Sequence, residues 1–177
     1  MSDIWQDLAA ISELAPGRDS VRLLAYGRER CESLAGEAVA TSLAAIDAAE
    51  YTAGLAVGAR AAASKAKTLT APAVYFEYDL DNGWSSNFFI CGAYSSSDSD
   101  WASDWQDRIQ GPPMPKFAAE YASEFATDAV SQGRTVMLVA RTLAALIEAT
   151  GSWPERLVLA AAYHDQDQIT TIWPPSR

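Results

Sequence analysis

Catalysis by side chains needs a nucleophile beside a base, and this chain has few of either: its only histidine is His164 and its two cysteines are Cys31 and Cys91. The residue types permit one nucleophilic arrangement, a Cys91–His164 dyad oriented by Asp165 or Asp167, because a thiol becomes reactive only when its surroundings favour the thiolate. The plainer reading packs Cys91 in the core and starts a turn at His164. Carboxylates for acid–base work are present as Asp79, Asp81, Asp98 and Asp100. Acids in turns, however, lack the burial that sets two pKa values apart. Asp79, Asp81 and Gly83 have the alternation of a calcium loop without the Glu such a loop carries at its twelfth position. No glycine-rich phosphate loop, G-x-S-x-G, H-E-x-x-H or paired C-x-x-C occurs. The residues favour a non-enzymatic protein, with no catalytic residue, metal or cofactor expected.

Negative charge is what the chain holds in quantity: 23 Asp and Glu against 13 Lys and Arg give a formal net charge of -10. Residues 1–67 carry nine acids and seven bases, and residues 132–177 carry four of each, so a net of -8 falls on residues 68–131, where ten acids meet only Arg108 and Lys116. Three of the six tryptophans, Trp84, Trp101 and Trp105, lie in that stretch among Ser, Asp and Gly. Interfaces draw their energy from a few aromatic anchors, and a field of one sign speeds encounter with a partner of the other. The expected contact set is therefore Asp79, Asp81, Trp84, Asp98, Asp100, Trp101, Asp104 and Trp105, and the expected partner is a basic protein. Nucleic acid and anionic membranes, which need a basic footprint, are excluded as partners. The competing reading folds the three rings back as a lid on a sheet, with the aspartates solvating a long loop.

The elements that position these residues change character along the chain. Ile4, Leu8, Ile11 and Leu14 recur at helical spacing before Pro16-Gly17 breaks the run. Asp19 or Ser20 caps a helix over about 20–35, and Gly36 separates it from a second over about 37–66, whose stripe is Val39, Leu43, Ile46, Ala53 and Val57. Gly54 and Gly58 share one side of that helix, suited to a dimer seam or to packing on the protein's own sheet. Strands follow over 73–79 and 87–94, joined by a turn in which Asn82-Gly83 supplies positive dihedrals. Residues 95–107 read as a loop with one helical turn. Phe117, Tyr121 and Phe125 draw a helix from Pro115 to about Val130 that Gly133 ends, and Thr135–Ala149 forms another. Strands over 156–163 and 168–173, around a turn at 165–167, close the chain.

This order predicts an α+β fold: N-terminal helices plus a small, mainly antiparallel sheet built from two hairpins and covered by helices. A length of 177 residues, with 49% hydrophobic and 20% charged, fits one domain over 1–177, a helical part (1–67) leading into a hairpin-bearing part (68–177). A detachable N-terminal helical hairpin is the alternative. The N-terminal MSDIWQDLAAISELA has acids where an export signal carries Lys or Arg, and the apolar run Leu157–Tyr163 is far short of a bilayer span. With so few cysteines, a cytoplasmic protein with reduced thiols is expected, as a monomer or a homodimer.

The strand-turn-strand VYFEYDLDNGWSSNFFICGAY, the segment SDWASDWQD, the helix start at Pro115 and Phe117, and the closing AAAYHDQDQITTIW together resemble the small acidic immunity proteins of bacterial polymorphic and contact-dependent toxin systems. The resemblance spans the layout of residues 70–177. Those families share no invariant motif, so it assigns no role to an individual residue. It implies a stoichiometric inhibitor that neutralises a basic toxin such as a nuclease by presenting carboxylates where the phosphates would bind. The other reading of the sequence is a small-molecule enzyme or ligand-binding domain, its pocket between sheet and helices with His164, Tyr163 and Cys91 near the mouth.

Overall fold

The computed structural model describes residues 4–121, 128–164 and 169–174. In chain order they form α1 (Ile4–Leu14), α2 (Ser20–Ala35), α3 (Glu37–Ala44), α4 (Ala49–Leu69), β1 (Ala73–Asp79), β2 (Ser85–Cys91), a 3-10 turn (Asp100–Ser103), β3 (Trp105–Gln110), α5 (Pro115–Glu120), α6 (Ala129–Ala149), β4 (Val158–Tyr163) and β5 (Thr170–Trp173). The fold is α+β, with one five-stranded sheet in the order β3-β2-β1-β4-β5. β1 and β4 run parallel, and the other neighbouring pairs antiparallel. The two expected hairpins, β1–β2 and β4–β5, thus meet through their first strands.

Helix starts follow the capping residues. Asp19 accepts from the Arg22 amide at 3.0 Å to open α2, and Asp128 accepts from the Ser131 amide at 2.9 Å to open α6. Each satisfies a first-turn N–H that has no partner within its helix. Among the described residues no helix is long and apolar enough to cross a membrane.

Four expectations need correction. The helix expected over 37–66 is two helices, α3 and α4. The Arg141 guanidinium, reaching from α6, donates to the carbonyls of Leu43 and Ile46, while Asp47 accepts from the Ala49 amide to start α4. A cation on the unpaired carbonyls ends a helix well. The stripe is broken accordingly: Val57 is exposed, and α4 instead buries Tyr51, Leu55, Ala59, Ala62 and Ala66. Gly54 and Gly58 pack within the chain, Gly58 on the protein's own sheet as the second of their two readings has it. A Cβ on Gly58 would lie 2.7 Å from the Phe88 ring, and one on Gly54 would lie 2.9 Å from Pro112. Second, Gly133 sits inside α6, where it lets the helix approach Leu34 and Ala35 of α2. Third, the helix expected from Pro115 to about Val130 ends at Glu120, because Tyr121 is extended, and Val130 belongs to α6; Phe125 lies outside the described residues. Fourth, the loop expected over 95–107 ends in β3, which pairs with β2 as an edge strand.

The sheet has two unlike faces. On the inner one Val74, Phe76, Tyr78, Phe88, Ile90, Leu159, Ala161 and Ile172 join α1, α2, α4 and α6 in one core. Burial on this scale, at about 25 cal/mol per Å² of apolar surface, is the main stabilising term of the fold. On the outer face, among the described residues, Ala73, Tyr75, Cys91, Val158, Ala160 and Ala162 meet Trp101, Ala102 and a few partly buried neighbours.

Candidate functional site

The outer face holds the site. Side chains alternate across a strand, so Tyr75 and Glu77 of β1 project to the side away from the helices, with Phe89 opposite Tyr75 in the register. Beyond Phe89, Trp105 of β3 packs its ring at 5.5 Å and 51°. The segment after β2 folds back over this surface. Asp98 accepts from the Asp100 amide at 3.0 Å, Ala102 and Asp104 donate to Ser99 and Trp101, and the Gly92 amide donates to the Asp104 carbonyl at 3.1 Å, closing the loop. Trp101 anchors it, standing edge-on to Tyr75 and to Tyr94.

Because Ala160 and Ala162 of β4 are small, the loop does not fill this face. An open cavity of about 330 Å³ remains, floored by Tyr75 and Phe89, with Ser99, Asp100, Ala102 and Ser103 on one wall and Glu77, His164, Ile169 and Trp105 on the others. The Tyr75 hydroxyl donates to Glu77 Oε2 at 3.3 Å, and His164 Nδ1 lies 3.3 Å from Glu77 Oε1. Burial, reinforced by the Glu77 charge, raises the Tyr75 hydroxyl well above its ordinary pKa, so it stays a donor. Among the described residues the lining carries two carboxylates, Glu77 and Asp100, and neither Lys nor Arg. Arg108, which faces Phe89 across the β2–β3 pairing, lies outside it.

The eight residues expected to contact a partner are dispersed. Asp100 and Trp105 line the cavity, and Trp105 is 50% exposed. Asp98 and Asp104 are exposed on the same loop. Two tryptophans must be withdrawn from the contact set. Trp101 is buried as the loop's anchor. Trp84 is wholly buried on the inner face, its indole donating to Thr142 Oγ1 at 2.9 Å and its ring packed on Tyr78, Phe117 and Tyr121. The hairpin turn drives it there: Gly83 and Trp84, not Asn82, take positive φ, at +65° and +53°. Asp79 shapes that turn by accepting from the Asp81 and Asn82 amides, and neither Asp79 nor Asp81 lines the cavity.

Sequence reasoning missed Tyr75, Glu77 and Phe89. The available signal was Glu77 at a two-residue spacing from Tyr75 in an otherwise apolar strand. The expected pocket between sheet and helices is also corrected: His164 opens onto the outer face, whereas Tyr163 is in the inner core. Nor is there a Cys91–His164 dyad. Cys91 neighbours Ala73 at one end of β1 and His164 follows the Tyr78–Tyr163 pairing at the other, roughly 17 Å along the strand. Burial pushes the Cys91 thiol up to about 12, and its sulfur faces the carbonyls of Phe89 and Ala102.

A second hollow, about 390 Å³ between α4 and the end of α6, is lined by Ala59, Ala63, Ala149, Arg60, Glu148 and Trp153 among others. It pairs one charge of each sign with small apolar groups and converges on nothing. Among the described residues no group of three His, Cys, Asp or Glu is placed to hold a metal ion. No protein-family model, curated protein or solved structure matches the chain.

Proposed function

We propose that the chain is a non-enzymatic acidic binding protein that captures a basic protein through the outer face of its sheet, as an immunity-type inhibitor captures a basic toxin such as a nuclease. One observation carries the reading: Trp105, half exposed, stands at the rim of an open cavity that Glu77, Asp100 and the His164 imidazole help to line. A large aromatic ring held in place by Phe89 and ringed by carboxylates is the form of an interface anchor. The exposed Asp98 and Asp104 extend the field toward an approaching cation. Two buried, free cysteines accord with a cytoplasmic setting.

The test is affinity capture from host lysate at low salt, run in parallel with the unaltered chain and Trp105→Ala. A basic protein held in near-stoichiometric yield by the first, released as salt rises and lost by the second, is the expected outcome, since the steering field is screened over about 8 Å at physiological ionic strength. No such protein, or equal retention by both, overturns the reading. The Glu77–His164 contact favours a second reading, a small cationic ligand held in the same cavity. In that case His164→Ala alters ligand binding and leaves protein capture unchanged.

A further inference from the structure

We infer that the outer-face cavity is a receptor for one arginine side chain of the partner, with Glu77 as the carboxylate that receives the guanidinium. The inference rests on the reading that this face meets a basic protein, and it specifies what enters. Size is the first argument. At about 330 Å³ the hollow is at the small end of ligand pockets, room for one long side chain and not for a cofactor.

Shape and charge select arginine over lysine. The floor is aromatic: Tyr75 and Phe89 lie 6.0 Å apart at only 22° between planes, and Trp105 continues the surface. A planar, weakly hydrated guanidinium stacks on such rings, whereas a compact, strongly hydrated ammonium loses more on leaving water. Glu77 is recessed, its side chain 23% exposed, and both its oxygens point at groups 3.3 Å away, Tyr75 Oη and His164 Nδ1. Those contacts are long for charge-assisted hydrogen bonds, which close to about 2.7–2.9 Å. A guanidinium presenting two parallel N–H groups makes shorter bonds to the same carboxylate. Across the cavity the Asp100 carboxylate has no hydrogen-bonding or ionic partner among the described residues, so a second acceptor faces the same space.

The probe is a blocked Gly-Arg-Gly peptide titrated into the full chain at low salt, beside its lysine and citrulline counterparts and free arginine. The readout is the Trp105 indole N–H resonance, assigned by its loss in Trp105→Phe. The arginine peptide is expected to shift it at concentrations about tenfold below those the lysine peptide needs, with citrulline inert. Glu77→Gln and, on the exposed loop, Asp100→Asn should each weaken the arginine response about tenfold. Equal responses to arginine and lysine, or a response indifferent to both variants, overturn the inference. Free arginine binding far more tightly than the peptide also overturns it, in favour of a small-molecule site. Failure is separable from failure of the functional reading: a basic partner lost by Trp105→Ala but retained by Glu77→Gln sinks the arginine receptor alone, and the absence of any partner sinks the reading beneath it.

Discussion

The two faces of the sheet use the same residue type for opposite ends. Inside, Trp84 is fully enclosed, hydrogen-bonded to Thr142 and wedged among three aromatic rings. Outside, Trp101 anchors a single 3-10 turn to the sheet from within it, and Trp105 stands half in solvent beside a hollow. The difference lies in what covers each face. The 21-residue helices α4 and α6, packed with α1 and α2, fill the inner side, whereas among the described residues one loop and the alanines of β4 leave the outer side partly open. Stability is concentrated on one face, which leaves the other free to display side chains.

Breaking the inner face should cost most. Trp84→Ala removes a filled position and the indole donor to Thr142, whose hydroxyl keeps its bond to the Leu138 carbonyl, and is expected to lower unfolding free energy by about 3–5 kcal/mol in denaturant melts. A loss under 1 kcal/mol, about the effect of a surface change, would contradict the core assignment. Trp101→Ala should cost about 2 kcal/mol, since the ring covers a smaller cluster. The same variant should expose Cys91, which in the native chain is expected to react slowly with iodoacetamide at neutral pH because its thiol is buried and pushed up to about 12. Alkylation no faster in the variant would mean that the loop does not cover the sheet. Trp105→Ala sharpens the contrast: a change in stability within about 0.5 kcal/mol, with about 2 kcal/mol lost in partner affinity measured by calorimetry.

The smallest effect concerns the edge. Lys65 Nζ lies 2.7 Å from Asp107, tying β3 to α4, and this hydrogen bond holds the Asp107 carboxyl below its ordinary pKa. A lowered folded pKa gives stability that is present above the unfolded carboxylate's range and lost as pH falls through the folded value. The difference in melting temperature between the unaltered chain and Lys65→Ala should therefore be small at neutral pH and vanish in acid. A difference that persists below that range would assign Lys65 another role.

What the sequence revealed and what it hid follow from the range of the interactions. The strand 73–79 and all but the first two residues of the strand expected over 156–163 were legible because apolar and aromatic runs report their own burial, and the cap was legible to within one residue, Asp19 or Ser20, because capping is local. The break between α3 and α4 was hidden because Arg141, nearly a hundred positions away, supplies the cap. β3 was hidden because WQDRIQ is an edge strand with most of its side chains in solvent, so it shows neither an apolar run nor clean alternation. Trp84 misled because its neighbours Asn82, Gly83 and Ser85 look like surface, while two positive φ angles turn the ring inward. Of the site, the acidic loop and Trp105 were visible in composition. Its floor was not, because Tyr75 and Phe89 meet only through strand pairing.

The most direct test of the binding face is amide hydrogen exchange on the chain with its captured partner, compared with the free chain. The account predicts added protection across residues 98–106 and along β3, with α1 through α4 unchanged. Protection confined to those helices, leaving the outer face as it was, would contradict it.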